Sequence, residues 1–228
     1  MSRRATGRPE VEPLQSRTRI KICGLTREAD VQAAVAAGAD AVGFVFYDPS
    51  PRHVEVGQAA RLARGLPPFV TPVGLFVNAD PALVDHATAA IPGLLLQFHG
   101  DETAADCRRS GRPYLRAARM APGIDLLDFA RRFSDAQGLL LDAFVDGYGG
   151  GGKVFDWSRV ARDVPRPLVL SGGLHAANVV AGILQVRPWA VDVSSGVESA
   201  KGIKDAAAMR RFCDAVREAD ARIADTES

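Results

Sequence analysis

From residue 19 onward, short apolar runs alternate with longer amphipathic stretches. The short runs predict β-strands over 19–23, 41–46, 71–77, 94–98, 113–117, 138–142, 167–170 and 189–193. The 113–117 run is the least apolar of them, and 138–142 the most. Apolar residues at helical spacing predict helices over 27–37, 56–64, 101–109, 124–133 and 205–219. Thr26 is placed to cap the first of these, which Gly38 ends, and Asp80-Pro81 forms an N-cap and first-turn pair for a further helix. Helical segments are expected after the seventh and eighth strands too.

Eight strand-then-helix units at spacings of about 20 to 30 residues imply parallel strands joined by right-handed crossovers. Such strands are buried on both faces, which accounts for continuous runs such as Ala41-Val42-Gly43-Phe44-Val45-Phe46. Eight units can close into an α/β architecture of the (β/α)8 type, or TIM barrel; a doubly wound open sheet is the competing layout. Residues 1–18 are rich in Arg, Glu, Pro, Gly and Ser, and read as a short flexible N-terminal extension. The catalytic domain is therefore expected over 19–228.

Composition narrows the classes. Of 228 residues, 47% are hydrophobic, enough for one sizeable core. The net charge is +1, so no broad field would attract nucleic acid or an anionic membrane, and an anionic ligand needs a local site. No apolar run approaches the roughly 20 residues of a membrane span, and no signal-peptide pattern opens the chain. Cys23, Cys107 and Cys213 are odd in number and far apart, without metal-ligand spacing or a disulfide framework. A cytoplasmic protein without a metal site is expected, as a monomer or a homodimer.

In a barrel, chemistry gathers at the C-terminal ends of the strands. Those ends carry Cys23, the Pro49-Ser50-Pro51-Arg52 turn, Asn78, His99, Asp101, Arg116, Asp142, Ser171-Gly172-Gly173 and Ser194-Ser195-Gly196. Cys23 reads either as a small buried hydrophobe or as a thiolate base whose proton affinity must be lowered by nearby cations. Asp142 reads as a cap or ion-pair partner, or as a general acid kept protonated by burial. On strands one and six, the two would face each other across the barrel mouth. The glycine and serine turns after strands seven and eight stand where barrels often bind phosphate through backbone N–H groups, and a further glycine-rich loop, 149–153, follows strand six. Arg52, stiffened by prolines, could hold a carboxylate bidentately or lie on the surface. His99 is either a satisfied core histidine or part of the pocket wall.

Taken in order, these segments resemble the phosphoribosylanthranilate isomerases of tryptophan biosynthesis. The resemblance runs from Lys21-Ile22-Cys23-Gly24-Leu25-Thr26 through Gly43-Phe44-Val45-Phe46 with Pro49-Ser50-Pro51-Arg52, Gly74-Leu75-Phe76-Val77-Asn78, Leu96-Gln97-Phe98-His99-Gly100 and Leu141-Asp142-Ala143. It continues through Gly152-Lys153-Val154-Phe155-Asp156-Trp157, Leu170-Ser171-Gly172-Gly173-Leu174, Asp192-Val193-Ser194-Ser195-Gly196-Val197-Glu198 and Gly202-Ile203-Lys204-Asp205.

The resemblance implies a (β/α)8 barrel catalysing an Amadori rearrangement without a cofactor. Asp142 would be the general acid and Cys23 the general base. Arg52 would hold the anthranilate carboxylate. Gly172, Gly173, Ser194, Ser195, Gly196 and the loop around Gly151 would hold the phosphate, with His99 and Asp192 also counted among the substrate-binding residues. The chain departs from the family pattern at Ser171, where Ala is frequent, at Gly151, where Thr is frequent, at Phe98, at Asp48, and in its N-terminal extension. Two alternatives stand beside this reading: the related aminoaldose isomerase chemistry of histidine biosynthesis, which Cys23 disfavours, and a non-catalytic barrel that binds a phosphometabolite.

Overall fold

The computed structural model describes residues 17–144, 154–161 and 163–227. Eight parallel strands close into a barrel in sequence order, β1 to β8. They are β1 (Arg19–Cys23), β2 (Ala41–Phe46), β3 (Thr71–Phe76), β4 (Leu95–Phe98), β5 (Tyr114–Arg119), β6 (Gly138–Asp142), β7 (Leu168–Leu170) and β8 (Ala190–Val193). Around them run α1 (Glu28–Ala37), α2 (Val56–Ala63), α3 (Pro81–Ala90), α4 (Ala104–Arg108), α5 (Leu126–Arg132), α6 (Val179–Val186) and α7 (Ala206–Glu227). A closed barrel leaves no sheet edge to protect, and the open-sheet alternative is excluded. No helix among the described residues is long and apolar enough to cross a membrane.

Strand side chains alternate between two destinations. Ile20, Ile22, Phe44, Phe76, Leu96, Leu139, Leu141 and Leu170 join the large apolar core beneath the helices. The other set points into the barrel. Ala117, Leu140, Val169 and Ala190 form a separate buried cluster, and they are register neighbours on β5, β6, β7 and β8. Two residues further along those strands stand Arg119, Asp142, Ser171 and Asp192, on the same inner face at the C-terminal end. Register carries that face around the ring: Asp192 lies opposite Lys21, and Cys23 opposite Gly43.

Local chemistry moves several element ends from where the sequence pattern places them. Thr26 does not cap α1; Arg27 occupies that position without a side-chain cap bond, while the Thr26 hydroxyl donates to the Gly202 carbonyl at 2.9 Å. The fourth helix begins at Ala104, where Thr103 and Asp106 form a reciprocal capping box. Asp80 caps α3 as expected, accepting from the Ala82 N–H at 2.7 Å. The sixth unit departs from the rhythm: between β6 and β7 the described residues contain a single 3-10 turn, Trp157–Arg159, and no α-helix. After β8 the chain adds a 3-10 turn, Ser195–Val197, and an antiparallel hairpin, β9 (Glu198–Ala200) and β10 (Ile203–Lys204), that the apolar pattern does not announce.

Most of the expected extension, and the glycine loop 149–153, lie outside the described residues. The last two residues of the extension are tied to the barrel. Thr18 is buried, and its N–H and hydroxyl both donate to Asp220 on α7, the hydroxyl at 2.7 Å. Arg17 makes a two-pronged contact with Asp40.

Candidate active site

The inner face at the mouth is polar and almost wholly buried. Lys21, Arg52, Gln97, His99, Asp142, Asp192 and Lys204 all have less than a tenth of their surface exposed. Charges removed from water this thoroughly require partners, and the partners divide the mouth into two halves.

One half surrounds the thiol. Cys23 is buried at the end of β1, and its Sγ fits only because β2 presents Gly43 opposite: a Cβ there would lie 2.7 Å from the sulfur. Lys21, one step down the same strand face, donates to Asp192 at 2.9 Å, and its charge acts on the thiol. Burial pushes the Cys23 thiol up from its ordinary value; Lys21 and Lys204 draw it back down only in part, and Asp192 adds to the rise. Burial also works against the Lys21 ammonium, but Asp192 and Cys23 outweigh it and hold it charged. The cations expected near the thiol are therefore present, yet desolvation prevails.

Beside this thiol, Arg52 meets a carboxylate of the chain itself. Its Nε and Nη2 donate to the two oxygens of Glu198 at 2.7 and 2.9 Å. Lys204 donates to the same carboxylate at 2.8 Å and to the Ser194 carbonyl at 3.0 Å. Burial works to raise Glu198, but its bonds to Arg52 and Lys204 win and hold it below the usual range. For Lys204 the balance falls the other way, and burial lowers it.

The second half surrounds the carboxyl. Asp142 ends β6, with Oδ1 accepting from the Ala143 N–H at 2.9 Å and Oδ2 lying 3.0 Å from His99 Nε2. Behind it, Gln97 Nε2 lies 3.3 Å from His99 Nδ1. His99 thus belongs to the mouth.

The two halves meet along the turns after β7 and β8. Gly172 has φ +81, and a Cβ there would sit 2.6 Å from the Ala143 nitrogen and 3.0 Å from Asp142 Oδ1. Only glycine can turn the chain this close to the acid. Leu174, at the end of the same turn, packs against Gly196 through its carbonyl, and Ser194 Oγ donates to the Cys23 carbonyl at 3.0 Å. Gly172, Gly173, Ser194, Ser195 and Gly196 consequently form one rim between carboxyl and thiol. Gly151 lies outside the described residues.

Arg116 is a correction. The order of strand ends puts it on the functional rim, but its position on β5 turns it outward. There it donates to the Phe98 and Gly100 carbonyls at 2.8 and 2.9 Å, and packs over Phe133. Its place at the mouth is taken by Arg119, which pairs with Asp101. Sequence reasoning gave no role to Lys21, Gln97, Glu198 or Lys204. A signal existed for the first two: each lies two residues before a singled-out strand residue, and period two puts them on one face. A separate cleft, between the turns after β3 and β4, is lined by Asn78, Asp85, Asp101, Glu102 and Arg109; it takes two of the polar strand-end residues, Asn78 and Asp101, but neither Cys23 nor Asp142.

A closed (β/α)8 barrel with a buried thiol, a buried carboxyl and a glycine–serine rim between them belongs to the class of barrel enzymes. Residues 20–215 match the family model described as N-(5'-phosphoribosyl)anthranilate (PRA) isomerase, and the chain belongs to that family of isomerases of tryptophan biosynthesis. It is 76% identical over 211 residues to the N-(5'-phosphoribosyl)anthranilate isomerase of Methylibium petroleiphilum, covering 92% of this chain and 99% of that one. The crystal structure of phosphoribosyl anthranilate isomerase from Thermotoga maritima superposes with a TM-score of 0.82 at 40% identity, over 88% of this chain and 99% of the other. A further structure of the family, solved with reduced 1-(o-carboxyphenylamino)-1-deoxyribulose 5-phosphate, gives a TM-score of 0.79 at 38% identity, over 88% and 99% of the two chains.

Proposed function

We propose that this chain converts N-(5'-phosphoribosyl)anthranilate to 1-(o-carboxyphenylamino)-1-deoxyribulose 5-phosphate, with Asp142 as general acid and Cys23 as general base. One observation carries this assignment: both groups lie on the inner face of the barrel mouth, Asp142 against His99 and Cys23 within the influence of Lys21, with the glycine–serine rim between them. The Asp142 proton goes to the ribose ring oxygen. The bond from that oxygen to C1 breaks as the anilino nitrogen pair forms an iminium. The Cys23 thiolate then removes the proton from C2; the C–H pair becomes the C1–C2 double bond, and the iminium pair returns to nitrogen. The resulting enolamine tautomerises to the aminoketone. C1 is reduced as C2 is oxidised, so the reaction needs no external electron carrier.

The thiol problem finds an answer in this sequence of steps. Burial disfavours the Cys23 thiolate, while Lys21 and, less strongly, Lys204 favour it. The iminium formed in the first step adds a further positive charge to those of Lys21 and Lys204 at the barrel mouth. That charge favours the thiolate, whose own proton leaves to solvent before the C2 proton is taken.

Arg52 binds the anthranilate carboxylate in this reading. Glu198 occupies its Nε and Nη2 edge, which leaves the Nη1–Nη2 edge for a second, end-on carboxylate. The rim residues Gly172, Gly173, Ser194, Ser195 and Gly196, with Gly151, hold the phosphate, while Asp192 acts through Lys21. Replacing Arg52 by Ala should raise KM more than it lowers kcat, by a binding loss of about 1.5–3 kcal/mol for a charged hydrogen bond. An unchanged KM would remove Arg52 from this role. The reaction itself is tested by the loss of anthranilate-ring fluorescence when purified protein meets phosphoribosylanthranilate.

A further inference from the structure

His99 and Gln97 take no part in the steps just written, yet both are buried against the acid. Gln97 has no exposed surface, and its Oε1 has no hydrogen-bond partner among the described residues. An unpaired buried amide oxygen costs about 1–3 kcal/mol, so its retention at the heart of the mouth calls for a reason.

Two arrangements of the Gln97–His99–Asp142 chain fit the same heavy-atom positions, because amide oxygen and nitrogen are nearly alike in shape. In one, Gln97 Nε2 donates to His99 Nδ1, and His99 Nε2–H donates to an Asp142 carboxylate. In the other, the amide is turned. Asp142 Oδ2–H then donates to His99 Nε2, and His99 Nδ1–H donates to Gln97 Oε1. The separations of 3.0 and 3.3 Å serve both arrangements, with every donor and acceptor exchanged. Among the described residues one end of the amide is unpaired in either case, so bond count does not choose between them. They differ in what they place on Asp142: a charge in the first, a proton in the second.

We propose that Gln97 is a positioning residue which, by accepting from His99 Nδ1–H, fixes the histidine tautomer that keeps the proton on Asp142 in the resting enzyme. The inference rests on Asp142 being the general acid. It adds that the acid is loaded from behind, through two buried side chains, Gln97 on β4 and His99 just after it. Period two makes the arrangement possible: Gln97 on β4 and His99, one residue past its end, face the same inner side, so the amide lies beneath the ring.

The test reads the tautomer without turnover. In the full chain labelled with 15N-histidine, two-bond proton–nitrogen correlations distinguish Nδ1–H from Nε2–H in each of the four histidines. Loss of one pattern in His99→Asn assigns the signal. The expected result for the substrate-free enzyme at neutral pH is His99 protonated at Nδ1. Protonation at Nε2 would overturn the proposal.

A second arm uses Gln97→Met, which keeps the volume and removes the acceptor, and Gln97→Glu, which keeps an acceptor. The Met variant should shift His99 to the Nε2–H form and lower kcat by roughly tenfold or more, part of the about 10²–10⁴ that a general acid contributes, with KM little changed. The Glu variant should retain Nδ1–H and recover part of kcat. Equal losses in both, with the tautomer unmoved, would mean a packing role only. Full turnover by Asp142→Asn would instead sink the acid assignment, whatever the tautomer proves to be.

Discussion

Lys21 and Asp192 are an ion pair buried inside the barrel, one step beneath the reactive thiol. Pairs so placed seldom add stability over apolar groups of equal volume, because desolvation offsets their attraction. Their value here is electrostatic: Lys21 lowers the thiol while Asp192 raises it, and the lysine has the larger effect. Replacing both, as Lys21→Met with Asp192→Leu, should leave stability unchanged or improved by up to about 4 kcal/mol. The same double variant should move the Cys23 thiol further upward. Activity that needs the thiolate is then lost first at the low end of the pH range, so the midpoint of kcat/KM against pH should shift to higher pH. A midpoint that stays in place would contradict the thiolate assignment. Cys23 and Asp142 could be singled out in the sequence because each is a polar residue ending an apolar run. Lys21, inside its run, carries the same inner-face position but looks like an interruption of the pattern. What no local pattern shows is its partner, since Asp192 lies 171 residues away.

At the scale of elements, the turns after β7 and β8 place the rim, and the β9–β10 hairpin places Glu198 and Lys204 against Arg52. Gly172→Ala would drive a methyl group into the Ala143 nitrogen at positive φ. It should cost about 1–3 kcal/mol of backbone strain and displace Asp142, so kcat should fall even where urea titration shows the protein folded. Normal kcat in a folded Gly172→Ala would show that the turn does not position the acid. Glu198 gives a pH signature of stability. Its folded value lies below the ordinary one of about 4.3, so its contribution is present above that pH and lost as pH falls through the folded value. Glu198→Gln should therefore destabilise by at least about 1–3 kcal/mol at pH 7 and by much less at pH 3. Equal losses at the two pH values would contradict the paired carboxylate. The strands were legible because period and apolar run length decide them, and β2 and β6 fall where the pattern places them. Helix starts were less so: Thr26 and Thr103 look alike as caps, and only Thr103 has an acidic residue three positions on to close the box. The hairpin was hidden because its two short strands are mostly polar and partly exposed.

For the whole molecule, closure is the decisive event. Eight strands in ring order bring β1 beside β8, so residues far apart in sequence share one mouth. The seam is secured from outside by Asp220 on α7, which takes the N–H and hydroxyl of Thr18 just ahead of β1. The rhythm of eight units allowed this closure beside an open sheet, and it did not foresee the sixth crossover, where the described residues hold a 3-10 turn in place of a helix. Closure alone brings Asp142 on β6 and Cys23 on β1, the proposed acid and base, to the inner face of one barrel mouth. Turnover of phosphoribosylanthranilate, followed by fluorescence in the parent protein and in folded Cys23→Ala and Asp142→Asn, tests this account most directly. The parent should consume the substrate, and each variant should lose about 10²–10⁴ in kcat. Near-parental rates in either variant, or no consumption by the parent, would contradict it.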